Sequence, residues 1–348
     1  MGDGGELRLN RPPRLSIGLP VYNGENYLAE SLEALLGQTY ENFELIISDN
    51  GSTDATPDIC HRYVKADSRV QYYRQPENIG STPNHNFVFA KSRGELFKWA
   101  AADDLYARNL LECCVRALEE YPRVVLAHSW TAAIDSDGNV TQALEYPLAT
   151  NSARAPERFR SMLFGTGRND YGVIRADDQY GVIRAKVLRR VAPHGSHYHA
   201  DRTIMTEIAL YGPFHQTPDW LYFRRDHPRR PGHAYPTVRG WCTNLDPRRA
   251  NRIWHPTVRL LAEYVLGYVR AIERAPISRA ERLECYSHLL GWLGSRSAPA
   301  LGRAVRGGVM AVPAGAYASA VVSDAIGPTV SLDTIVAGRG DSPCPDDV

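Results

Sequence analysis

Apolar and polar positions in the first hundred residues repeat a strand-then-helix unit. Leu15, Ile17 and Leu19 alternate with smaller neighbours and stop at Pro20, as a strand does, and Leu28, Leu32, Leu35 and Leu36 follow at helical spacing. A second apolar run, Phe43 to Ser48, ends in Asp49-Asn50-Gly51-Ser52-Thr53-Asp54, a mixture of turn formers and helix caps. Ile59, Cys60, Tyr63 and Val64 mark the buried stripe of the next helix, and Val70 to Arg74 a third strand. Thr82 and Pro83 read as the N-cap and first residue of a third helix, and Glu95 to Ala101 as a fourth strand ending at Asp103-Asp104. This order predicts an α/β fold with a mixed, mostly parallel sheet flanked by helices. Ligands of such sheets gather beyond the carboxyl ends of the strands. Tyr22-Asn23-Gly24, Asp49 to Asp54 and Asp103-Asp104 all fall there.

Past residue 120 the pattern loosens. Val124 to Trp130 reads as a strand, Asp137-Gly138-Asn139 as a turn, and 156–164 as a helix bearing Phe159, Met162 and Leu163. Asp201 opens a helix with Ile204, Met205 and Ile208 and Gly212 at its close. Leu221 and Phe223 alternate ahead of Arg224-Arg225-Asp226-His227. Two amphipathic helices are predicted after His255, the second opened by the capping box Ser278–Glu281. The hexapeptide Tyr-Gly-Val-Ile-Arg-Ala occurs at 171–176 and again at 180–185. That odd offset would put the copies on opposite faces of one strand, and a duplication absorbed by a loop is the favoured reading.

Composition narrows the partners. A chain of 348 residues has room for one large α/β domain and a smaller appendage. Its net charge of +1 gives no field for nucleic acid. The six cysteines show neither disulfide nor zinc spacing, which suits a reduced, cytoplasmic setting. The opening MGDGGELRLNRPPR has no apolar segment of signal-peptide type, and Pro313 breaks the apolar stretch 308–322.

Several motifs in order carry more weight than any one of them. Pro20-Val21-Tyr22-Asn23-Gly24-Glu25, Gln38-Thr39-Tyr40 running into Ser48 to Asp54, and Asn78-Ile79-Gly80 with Asn86 resemble family 2 glycosyltransferases. The resemblance is firm over residues 14–130 and weaker through 180–227. It implies the GT-A fold, with 1–13 as a flexible N-terminus and 14–232 as the catalytic domain. Within that domain 14–130 is the nucleotide-sugar half and 131–232 the acceptor half. A mainly helical region, 233–334, and a disordered tail, 335–348, would follow.

The resemblance also implies roles. Pro20, Tyr22, Glu25, Asp49 and Asn78 would border a nucleotide-sugar donor (UDP-, dTDP- or GDP-linked), with Arg224 on its diphosphate. A carboxylate at Asp49 accepts from an imide N–H, which suits uracil, thymine or guanine. Where the family has a second aspartate, this chain has Asn50. The leaving diphosphate calls for Mg²⁺ or Mn²⁺. The family's DxD motif corresponds to Ala101-Ala102-Asp103-Asp104, so its first aspartate is missing. Asp103 would ligate the metal, Asp104 would assist or cap the next helix, and His227 would complete the sphere. Asp201 takes the place of the general base of an inverting transfer, with Glu207 as runner-up.

The reading that results is a single-addition hexosyl- or deoxyhexosyltransferase. Its acceptor is an unidentified hydroxyl on a natural product, a lipid-linked intermediate, a protein or a surface glycan. A Gln-x-x-Arg-Trp motif for processive synthesis is absent; Arg239-Gly240-Trp241 is not one. Two alternatives stand beside it. A sugar-nucleotide pyrophosphorylase would need a glycine-rich loop where Pro20-Val21-Tyr22-Asn23 stands, and a non-catalytic GT-A-like module draws support only from the incomplete DxD. The C-terminal helices could pack on the core, form a homodimer or touch a membrane peripherally.

Overall fold

The computed structural model of the chain describes residues 12–143, 150–164 and 177–305. Its first half comprises β1 (Leu15–Val21), α1 (Leu28–Leu36), β2 (Phe43–Asp49), α2 (Thr56–Ala66), β3 (Val70–Arg74), α3 (Ser81–Lys91) and β4 (Leu96–Trp99). The short β5 (Leu105–Tyr106), α4 (Leu110–Glu120), β6 (Leu126–Ile134) and β7 (Val140–Ala143) follow. Next come α5 (Ala155–Phe164), β8 (Val182–Arg184), α6 (Ala185–Leu188), α7 (Ala200–Tyr211) and β9 (Phe214–Arg225). Beyond the last strand lie α8 (Pro231–Ala234), α9 (Val238–Leu245), α10 (Thr257–Arg274) and α11 (Arg279–Val305).

The strands form one mixed sheet in the order β3-β2-β1-β4-β8-β6-β9-β5, with β7 beside β6. β3, β2, β1 and β4 run parallel, each separated from the next in sequence by a crossover helix. β8 enters antiparallel between β4 and β6, while β9 returns parallel to β6. The strand order reverses direction beside β1, which leaves a crevice beyond the carboxyl ends of β1, β2 and β4.

Side-chain alternation explains how β1 is sandwiched. Leu15, Ile17 and Leu19 enter a core with Leu28, Leu32, Leu35 and α4. Ser16 and Gly18 face α3 instead, where a Cβ on Gly18 would lie 2.6 Å from Val88 Cγ2. The missing side chain lets α3 close on the sheet. A second core, with Phe97, Trp99, Val88, Ile204, Met205 and Ile208, fills that side. Pro20 lies past the last β1–β4 pair, Gly18 with Trp99, so its absent N–H costs that ladder nothing. A third core joins α5, α7, α10 and α11 around Phe159, Tyr264, Tyr268 and Trp292.

Two predicted boundaries move. α3 starts at Ser81, with Gly80 at φ +93° before it, and Thr82 lies inside its first turn. A Cβ on Gly80 would stand 2.6 Å from Leu245 O, so the crossing of α9 dictates where this helix begins. Asp201 is the second residue of α7, not its cap; His199 stands before the helix at φ +51°. The Ser278–Glu281 capping box forms as predicted, with Ser278 N–H donating to Glu281 Oε2 and Glu281 N–H to Ser278 Oγ. Among the described residues Cys60, Cys114, Cys242 and Cys285 are free and buried. The second hexapeptide copy forms β8 and the start of α6; the first, with the expected flexible tail, lies outside the described residues. Among the described residues no helix is long and apolar enough to cross a membrane.

Candidate active site

The loops after β1 and β2 are zipped together. Asn23 N–H donates to Ser52 Oγ (2.9 Å), Gly24 N–H to Thr56 Oγ1 (2.8 Å) and Glu25 N–H to Asp54 Oδ2 (3.1 Å). The return bonds run from Thr53 N–H to Asn23 Oδ1 (2.9 Å) and from Ala55 N–H to Glu25 Oε2 (3.1 Å). Asn23 adopts φ +51°, a conformation its short amide tolerates better than most side chains. Asn50 fastens the loop after β3: its Nδ2 donates to Asn78 Oδ1 (3.0 Å) and its Oδ1 accepts from Ile79 N–H (3.0 Å). An aspartate here could not make the first bond, so the departure from the family pattern has a structural use.

Asp49 is fully buried. Its Oδ1 accepts from Ser52 N–H and its Oδ2 from the Tyr72 hydroxyl, each at 2.8 Å, with Arg74 Nε 3.6 Å away. Here the carboxylate folds the loop, and a nucleobase would have to displace one of those donors to reach it. Tyr22, 47% exposed, is the open face of the same wall.

At the end of β4 the adjacent aspartates part company. His227 Nε2 donates to Asp103 Oδ2 across 2.9 Å and 124 residues of sequence, with the Asp103 side chain 28% exposed. Burial opposes ionisation of Asp103, but the bond to His227 and the nearby Arg230 outweigh it and hold the carboxyl below its ordinary range. Asp104 is fully buried and accepts from Arg225 N–H (2.8 Å) and the Tyr222 hydroxyl. Burial, then the charge of Asp103, pushes it up to about 6. Asp104 does not cap α4, which Asn109 precedes; its carboxyl ties β9 to the loop after β4.

Arg225 is the other anchor. Its Nε donates to Asp103 O (2.9 Å), Nη1 to Ser136 O (2.9 Å) and Nη2 to Glu30 Oε2 (2.7 Å), with the Tyr27 ring 4.5 Å below. Strand alternation sends Arg224 to the opposite face, so it is Arg225 that meets Asp103.

Asp201 sits in the first turn of α7, and its Oδ1 is buried without a hydrogen-bond partner. Such orphaned oxygens are rare and call for an explanation. The preceding loop is held by α3: the Asn86 side-chain amide exchanges two bonds with the His194 backbone, and Thr82 Oγ1 donates to Gly195 O (2.9 Å). The ring of His194 lies 6.4 Å from Trp99 of β4, so this loop leans on the strand that ends at Asp103. Burial keeps His199 and His85 down at about 4, and His194 and His197 below the ordinary value. These imidazoles are neutral at pH 7 and offer Asp201 no positive charge. Glu207 is taken by Arg274, at 2.8 and 2.7 Å, which removes it as a candidate base.

Asp103 and His227 supply one carboxylate and one imidazole. Among the described residues no group of three or more His, Cys, Asp or Glu could hold a metal unaided. Tyr27 and Tyr222 escaped the sequence reading; Asn50 stood there only as a departure inside a motif, and Arg225 only as the neighbour of Arg224.

Comparison with known proteins bears on the same residues. The Glycosyl transferase family 2 model matches residues 16–185. Glycosyltransferase GlyG of Streptococcus pneumoniae is 32% identical over 125 residues, 36% of this chain and 42% of that protein. An uncharacterized glycosyltransferase of Haemophilus influenzae is 34% identical over 127 residues, 36% of this chain and 50% of that protein. The matched stretch is thus half or less of either relative. S. aureus TarS superposes with a TM-score of 0.55 at 17% identity, over 80% of this chain and 43% of that one, which identifies the GT-A fold. Residues 16–185, which hold the β1, β2 and β4 loops, form a glycosyl transferase family 2 domain.

Proposed function

We propose that the chain is an inverting glycosyltransferase that moves one sugar from a nucleoside-diphosphate sugar to an acceptor hydroxyl. The observation that supports this most is the convergence of Asp103 and His227 at the strand edge that also presents the zipped loops. Backbone donors and side-chain acceptors already hold these loops in place, so a nucleoside would have to open only the bonds on the buried Asp49. In this reading residues 14–232 are the catalytic unit, with the donor half in 14–130 and the acceptor half in 131–232.

Asp103 and His227 would hold the divalent cation and Asp201 would act on the acceptor. When bound, the cation neutralises charge developing on the leaving diphosphate. The unpartnered Oδ1 of Asp201 receives the acceptor proton as that oxygen attacks the anomeric carbon. Attack opposite the leaving group inverts the anomeric centre. Tyr22, Glu25 and Asn78 line the nucleoside wall, and the sugar is a hexose or deoxyhexose.

Release of free nucleoside diphosphate from UDP-, dTDP- and GDP-sugars, with and without Mn²⁺, tests the reading. Mn²⁺-dependent release from one donor class is expected. No release from any donor, together with no binding, would favour a non-catalytic module.

A further inference from the structure

Helix α10 has an outward side that the candidate site does not use. Tyr264, Tyr268 and Ile272 face the third core. On the other side Val258, Ala262 and Leu266 recur every fourth residue and are exposed, Val258 at 73%. Just ahead of the helix, Ile253 is 86% and Trp254 69% exposed. These positions are held in place: Asn251 Oδ1 accepts from the N–H of Ile253 (3.0 Å) and of Trp254 (3.2 Å). Arg259 Nη1 donates to Trp254 O (2.6 Å). An ordered turn therefore presents two large apolar side chains to solvent, continuous with an apolar helical stripe.

The rim of this surface is basic. Arg248, Arg252, Arg259 and Arg270 are exposed, and Arg249 lies behind them. Among the described residues the facing carboxylates are Asp246, paired with Arg248 at 2.8 Å, and Glu263, shared by Arg249 and Arg259. Arginine is in clear excess. A twofold contact between copies would set arginine against arginine, because the same patch meets itself. A negatively charged bilayer accepts both features: tryptophan settles at the headgroup boundary, and arginines reach lipid phosphates.

We propose that the 251–259 turn and the outer stripe of α10 seat the protein on an anionic membrane surface. Trp254 and Ile253 enter the headgroup–acyl boundary, Val258 and Leu266 lie along it, and the arginines contact phosphates. This does not depend on the donor or the reaction assigned above.

The test is flotation of the full chain with vesicles of phosphatidylcholine, with and without phosphatidylglycerol. Binding to the mixed vesicles only, weakening as salt rises, is expected. Ile253→Ser combined with Trp254→Ser should lower partitioning about tenfold or more with an unchanged thermal melt, since both residues are exposed. Arg252→Ala should lower it about fivefold. The proposal fails if the full chain does not float with anionic vesicles, or if the double variant floats as well as the parent. It also fails if light scattering shows that the double substitution abolishes self-association instead.

Discussion

Asn86 and His194, 108 residues apart, exchange a reciprocal pair of hydrogen bonds: Asn86 Nδ2 donates to His194 O at 3.0 Å, and His194 N–H donates to Asn86 Oδ1 at 2.9 Å. The pair ties α3, packed on the donor-side strands, to the loop that delivers Asp201. That amide and Thr82 Oγ1, which donates to Gly195 O, together fix the loop on α3.

Asn86→Ala should release that loop while leaving the nucleotide wall untouched. The expected result is a fall in kcat of about tenfold or more, since misplacement of a reacting group is costly even at small displacements. Donor affinity should stay unchanged. Steady-state kinetics beside equilibrium donor binding separates the two; a loss confined to donor affinity would contradict the assignment.

Asp201→Asn keeps the shape of the first turn of α7 and removes the proton acceptor. Transfer should fall about 10²-fold or more while donor binding persists. Full activity in this variant would remove Asp201 as the base.

Asp103 and Asp104 are neighbours with separable roles. Asp104→Asn should cost roughly 1–3 kcal/mol of stability by disturbing the bonds to Arg225 N–H and Tyr222, yet leave metal-dependent donor binding in place. Asp103→Ala should do the reverse. Denaturant melts and binding titrations on both variants check the pair; equal loss of metal response in the two would place Asp104 back among the ligands.

The amino end of the sheet has its own pH signature. Glu44, 3% exposed, accepts from Ser16 Oγ (2.6 Å), Gln71 Nε2 (2.8 Å) and Arg93 Nη2 (2.6 Å). Burial opposes its ionisation, but the Arg93 and Ser16 bonds outweigh it and hold the carboxyl below its ordinary value of 4.5. A lowered folded-state pKa means stability that is present above 4.5 and lost as pH falls through the lower value. Glu44→Gln should therefore destabilise the protein at pH 7, and the gap from the parent should narrow in strong acid. A gap of constant size across that range would contradict the linkage.

What the sequence made legible was local. Alternation in Leu15 to Leu19 and Phe43 to Ser48, and the Ser278–Glu281 box, rest on neighbours within a few residues, so periodicity and capping chemistry expose them. Gly80 escaped because its constraint comes from Leu245, in a helix that no local pattern places against it. Asp104 read as a ligand because it follows Asp103; its partners Tyr222 and Arg225 lie more than a hundred residues away. Arg224 and Arg225 looked interchangeable until strand pleating set them on opposite faces. His227 was nameable from its motif, but its bond to Asp103 is a property of the folded sheet.

The most direct test of the central claim is calorimetric titration of the chain and of Asp103→Ala with UDP-, dTDP- and GDP-sugars, each with and without Mn²⁺. The account predicts that the parent binds one nucleotide class tightly only with the metal, and that Asp103→Ala loses this dependence. Absence of binding to every donor in both conditions would contradict it, as would binding by Asp103→Ala that still responds to Mn²⁺.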